Sequence, residues 1–261
     1  GLIKVFSMLA WGLGYFGMPQ VLLRFMAIRK EDELKRSRRI AMVWVTISLA
    51  VAVFIGIAGR QLYPTQHLTQ TDAENIFITL ATSSLPPLLA GFVMAGILAA
   101  TISSSDSYLL IAASAFAKNI FQGLFKKNAS DKQVMTVSRI TLLLIAVIAM
   151  IIALDEKSVI FKIVSFAWAG FGATFGPLIL FSLFWKRTNR EGAIAGMVGG
   201  AAMVFLWKLA ISRLGGVFAI YELLPAFIFS SICIVVVSLM TAPPSKEIEE
   251  DFEAVKVKSE I

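Results

Sequence analysis

The sequence predicts an all-α integral membrane protein of about seven transmembrane helices. Three observations carry that prediction: an excess of apolar residues, apolar runs of bilayer length, and basic residues gathered on alternate connections. Of the 261 residues, 57% are hydrophobic and 16% charged, and the mean hydropathy is +0.79. A soluble domain carries about 25% charge and about 45–50% apolar residues. The composition therefore excludes a soluble enzyme, a disordered chain and a disulfide-stapled secreted module. The single cysteine, Cys233, lies in an apolar run and allows neither an internal disulfide nor a cysteine-based metal site.

A hydrocarbon core about 30 Å thick needs roughly 20 mostly apolar residues as a helix. Such runs lie near 3–27, 40–59, 87–117, 138–154, 159–185, 192–211 and 218–241, so that 1–241 is the transmembrane region. The third and fifth are long enough to tilt or protrude. Between the second and third, Asp72–Ala81 could form a short surface helix, and Pro86-Pro87 would start the next span. After Pro243-Pro244 the chain turns acidic, which makes 242–261 a polar tail. The chain opens at Gly1 inside an apolar stretch, without methionine or a signal-peptide layout, and reads as a piece of something longer.

Lys and Arg gather on the cytoplasmic side of membrane proteins. The first connection holds seven of them, the third five, the fifth three and the tail three, which is 18 of the 24. The other side has 6: Lys4, Arg60, Lys157, Lys162, Lys208 and Arg213. Gly1 is thus expected outside and the C-terminus in the cytoplasm. The formal charge of +7 is this sidedness and not a nucleic-acid footprint.

Span one contains Trp11-Gly12-Leu13-Gly14-Tyr15-Phe16-Gly17-Met18-Pro19. Each mid-helix Gly costs about 1 kcal/mol and Pro about 3 kcal/mol relative to Ala. In lipid the freed backbone groups must be satisfied by protein, ions or water. The stretch is expected to unwind in mid-membrane and line a cavity, the usual pointer to a transporter site. The plainer alternative is a kinked helix that packs closely through its glycines. The G-x-G-x-x-G match at Gly12, Gly14 and Gly17 lacks the strand and soluble helix of a dinucleotide fingerprint and is a false positive.

In span three, Ala100, Ser103, Ser104 and Ser107 share one helical face, with Asp106 at its edge. Small hydroxyls, a carboxylate and the carbonyl of Ala100 offer hard oxygens to a small hard cation. Serines alone also suit a tight helix contact with bonds back to their own helix. Asp106 favours the cation, because an intramembrane carboxylate faces a pathway or partner by default.

These stretches resemble the sodium:solute symporter family, and most closely its sodium/proline branch. The likeness rests on Trp11–Pro19 with Arg24-Phe25-Met26-Ala27, on Ala99–Leu110, and on Phe166–Pro177 with Ser182-Leu183-Phe184-Trp185-Lys186-Arg187. The resemblance implies a LeuT-type inverted repeat. Spans one to five would be its second repeat, spans six and seven the trailing helices, and the first repeat, the N-terminal half, would be missing. It implies Trp11, Tyr15 and Pro19 as substrate-binding residues. It gives the main sodium site to Ala100, Ser103 and Ser104, and a possible second one to Ser103, Asp106 and Ser107. A neutral residue is expected at the Asp106 position in proline transporters, so the stoichiometry stays open. The implied function is sodium-coupled symport of L-proline across the plasma membrane by alternating access, with sodium as the co-transported ion and no catalysis. Another small organic solute, such as a monocarboxylate or pantothenate, is the alternative, as is the membrane sensor module of a signalling protein.

Lesser signals have local readings. His67 is expected to be a solvated loop residue. Asn128-Ala129-Ser130 is a sequon on the expected inner side. Gly192, Gly196 and Gly200 form a small-residue face suited to close helix packing. Gly170, Gly172, Gly176 and Pro177 bend span five, either as a flex point or as a packing kink.

Overall fold

A computed structural model describes residues 1–154 and 160–260, and all of the regular structure in them is helical. Among the described residues six helices are long and apolar enough to cross a membrane, and the bent helix pair is a seventh when counted as one span. The chain is a multi-pass membrane protein. It divides into two compact units, one of residues 1–35 and 161–261 and one of residues 36–160.

The first unit opens with the broken span. Helix α1 (Leu2–Gly14) runs into one 3-10 turn (Tyr15–Gly17), Met18 is extended, and α2 (Pro19–Met26) leaves at a 50° bend. The break is shorter than the expected unwound stretch. Pro19 explains its place: it has no N–H to give, so it sits at the first position of a new helix, and the residue before it is pushed out of the helical region.

The second unit takes most of α3 (Asp32–Leu62), then the short α4 (Gln70–Ala73) and α5 (Ile76–Ser84). These two stand where one surface helix over 72–81 is expected. At 31 residues α3 is about 46 Å long, more than a bilayer core needs, so its basic first turns extend beyond the apolar run. Helix α6 (Pro87–Ala115) starts on Pro86-Pro87 as expected and passes into a π-helical stretch, Phe116–Phe125. Helix α7 (Asp131–Ala153) begins on a capping box, in which Ser130 and Gln133 satisfy each other's backbone N–H groups. The serine of the sequon is thus a helix cap. His67 takes a left-handed conformation (φ 52°), and its Nδ1 donates to the Asp72 carbonyl at 2.8 Å. It ties the loop, a role beyond the solvated one expected.

The remaining helices return to the first unit: α8 (Ile160–Phe184), α9 (Arg190–Leu209), α10 (Leu223–Met240) and α11 (Lys246–Glu260). The expected start of span five at Val159, with Lys157 before it, lies outside the described residues. Span seven begins five residues later than expected. Gly215 and Gly216, both at positive φ, turn the chain into a short 3-10 helix before α10 forms. The acidic tail is helical, and Lys186 meets Glu253 at 3.1 Å and Glu249 at 3.4 Å. Its hydrogen bond to Glu253 holds the ammonium above the usual lysine range.

The core of this unit is Ala169, Ala173, Val204, Leu223, Ala226 and Phe227. The Gly192–Gly196–Gly200 face is its seam. A Cβ on Gly196 would strike Ile234, and Ser230 Oγ donates to the Gly196 carbonyl at 2.9 Å. Gly200 faces the carbonyl of Ala173 on α8. That carbonyl lies four residues before Pro177, so it lacks its helical donor. A bare glycine lets α9 come close enough to cover it. Asn189 fastens the other end. Its Oδ1 accepts from Gly192 N (2.9 Å) and its Nδ2 donates to Thr241 Oγ1 and Ala242 O (both 2.7 Å).

Gly200→Ala is therefore expected to lower stability by about 1–3 kcal/mol, the usual range for overpacking. Gly170→Ala in α8, where a Cβ meets nothing within 4 Å, should leave it unchanged or raise it. Thermal midpoints of the purified variants in detergent check the contrast.

Candidate functional site: the broken span and the polar face of α6

The break is held by α8. A Cβ on Gly14 would collide with the Trp168 indole, and one on Gly17 would meet Gly176 N at 2.8 Å and Gly172 Cα at 3.0 Å. From the other side, a Cβ on Gly172 would lie 2.7 Å from Gly14 Cα. Gly12 has nothing within 4 Å. Two of the three glycines in the motif thus serve close approach, and the kink falls at Met18-Pro19. The close packing through glycines holds at Gly14 and Gly17, and of the expected unwinding the structure shows the short break at Tyr15–Met18. Gly172 and Gly176 likewise take the packing reading for span five.

Over this seam lies an aromatic cluster. The Trp11 ring stacks on Phe161 and on Trp168, each at 5.3 Å and 14° between planes, and on Tyr221 at 6.0 Å and 18°. Trp168 Nε1 donates to the Trp11 carbonyl at 2.9 Å, and Tyr15 meets the Trp168 ring edge-on at 4.8 Å. Tyr15 is 50% exposed, while Trp11 and Pro19 are half-buried. The three residues expected to bind substrate therefore share one short segment around the break. Phe161 and Tyr221 carry no motif in the sequence. Trp168 was visible only as part of a longer signature.

Ala100, Ser103, Ser104, Asp106 and Ser107 lie on α6, in the second unit, and all five are exposed. The helix is continuous through them. Ser107 Oγ donates to the Ser103 carbonyl at 3.2 Å, the ordinary bond back to the helix. Among the described residues, the Ser103 and Ser104 hydroxyls have no hydrogen bond and Asp106 has no ion pair. These oxygens are available to a ligand.

Transporters with discontinuous helices use such a break in the apolar region to build a solute site. The chain belongs to the sodium:solute symporter family, whose sequence profile matches residues 2–200. This is a family of transporters, not of enzymes. The chain is 40% identical over 250 residues to the high-affinity proline transporter PutP of Bacillus subtilis, covering 96% of this chain and 52% of that protein. It is 42% identical over 255 residues to the sodium/proline symporter of Haemophilus influenzae, covering 96% and 51%. With the osmoregulated proline transporter OpuE of Bacillus subtilis it shares 42% over 245 residues, covering 94% and 49%. The chain spans about half the length of the curated relatives it matches.

The two helical glycines are separable by experiment. Gly14→Ala should lower the thermal midpoint by forcing Trp168 away from Trp11. Gly12→Ala should hold or raise it, because alanine favours the helix by about 1 kcal/mol. Equal effects of the two changes would contradict the seam.

Proposed function

We propose that this chain is the second half of a sodium-coupled L-proline symporter of the plasma membrane. The observation that carries the reading is the break at Met18-Pro19 with Trp11 and Tyr15 beside it, in a chain about 40% identical to proline transporters. Trp11, Tyr15 and Pro19 contact the solute. Aromatic faces and a bent backbone suit a small ring with a charged amine and carboxylate.

Sodium is the co-transported ion. The Ala100 carbonyl, which keeps a second lone pair within its helix, and the Ser103 and Ser104 hydroxyls form part of its main site. Carbonyls from the other half of the transporter complete the shell. Ser103, Asp106 and Ser107 form a second cation site. The other half is therefore an obligatory partner, and lipid covers the outward apolar faces. The 18-to-6 distribution of basic residues supports a cytoplasmic C-terminus. Sodium and solute share a coupling free energy, which is reciprocal: each raises the affinity for the other by the same factor.

The test is uptake of labelled proline into proteoliposomes by the full-length polypeptide that carries this chain, with and without a sodium gradient and with competing solutes. Uptake should follow the gradient and be blocked by unlabelled proline. Uptake indifferent to sodium, or competed better by a monocarboxylate, contradicts the reading. Ser103→Ala and Ser104→Ala should each raise the sodium needed for half-maximal uptake by about tenfold or more, the expected effect of losing one oxygen from a charged ligand. Asp106→Asn should lower the sodium Hill coefficient and the proline affinity; no change in either would make Asp106 structural.

A further inference from the structure

The turn before α10 is tied to three other helices within three residues. Ile220 accepts a hydrogen bond from Trp207 Nε1 of α9 at 3.2 Å. Tyr221 donates its backbone N–H to Ser7 Oγ of α1 at 3.0 Å and its phenol to the Ser165 carbonyl of α8 at 2.6 Å. Glu222, only 6% exposed at its side chain, pairs with Lys208 Nζ of α9 at 3.0 Å. A carboxylate so far buried requires that partner, because an isolated buried charge is strongly unfavourable.

Between these ties the Tyr221 ring lies on the indole of Trp11, nearly parallel to it. Trp11 is thus held on its carbonyl by Trp168 and stacked by three aromatic rings, of which Tyr221 alone comes from outside α8. The hydroxyl and backbone bonds of Tyr221 leave its ring little freedom to follow the indole, so the indole must follow the ring.

We propose that Tyr221 is a positioning residue that sets the orientation of Trp11 on the broken span, and that Trp207 and Lys208 of α9 hold it in register. The trailing helices α9 and α10 then act on the site through one side chain. The effect on solute affinity rests on the proposed role of Trp11; the effect on the indole does not.

The experiment uses the full-length polypeptide labelled with 5-fluorotryptophan, with the Trp11 resonance assigned by Trp11→Phe. In Tyr221→Leu the fluorine resonance of Trp11 should move by more than its linewidth. Lys208→Met should move it in the same direction. Tyr221→Phe, which keeps the ring and loses only the bond to Ser165, should bring it most of the way back. In proteoliposomes Tyr221→Leu should raise the KM for proline about fivefold or more while changing the maximal rate per folded transporter by no more than about twofold, the signature of weakened binding. Tyr221→Phe should recover most of that affinity. A Trp11 resonance unmoved in Tyr221→Leu overturns the proposal. A resonance that moves in Lys208→Met, which keeps the Tyr221 ring and its ring current, while KM in Tyr221→Leu does not change supports the positioning of the indole and instead counts against Trp11 as a solute contact.

Discussion

The arrangement depends on the close approach of two helix backbones, α1 and α8, over Gly14, Gly17, Gly172 and Gly176. A helix that breaks inside the hydrocarbon core frees backbone groups that lipid cannot satisfy. Here the break is kept to one 3-10 turn and one extended residue, and the neighbouring helix lies directly against it. A side chain larger than hydrogen at Gly14, Gly17 or Gly172 would part the helices, and one at Gly176 would strike Phe227 of α10. Trp168 could then no longer reach the Trp11 carbonyl, and the aromatic cluster that rims the break would open.

The same device recurs behind the site. Pro177 leaves the Ala173 carbonyl without its helical donor, and Gly200 of α9 covers it. Glycine on one helix thus offsets proline on another. Ser230, Asn189 and the Lys208–Glu222 pair then fix α9 and α10 to each other and to the connections around them. The first unit is accordingly a packed support for a bent segment. In the second unit the most apolar windows of α3 and α7 bury none of their residues and that of α6 only 6%, so those faces are left for lipid or for another protein segment.

Much of this was legible in the sequence because it is local. Apolar run lengths marked the long helices, Pro86-Pro87 marked the start of α6, and three glycines with a proline announced the break. The small-residue face of α9 announced a close helix contact. What could not be read is what depends on distant partners. Gly12 and Gly14 look alike in the chain and differ only because Trp168, which reaches back to Trp11 across 157 residues, lies over one of them. Tyr221 carries no motif, and its tie to Ser7 spans 214 residues. The late start of α10 follows from two positive-φ glycines, a backbone choice that apolar counting does not register. The α6 serines were legible as a stripe but not as to their bonds: Ser107 turns back to its helix, and Ser103 and Ser104 do not.

The proposed solute site lies along the broken span. Alkylation of a cysteine placed at Tyr15, in a full-length background lacking Cys233 and any other cysteine, tests that placement directly. Proline together with sodium should slow the labelling rate in a saturable way, and neither alone should do so to the same extent. A labelling rate unaffected by saturating proline in the presence of sodium would contradict the account.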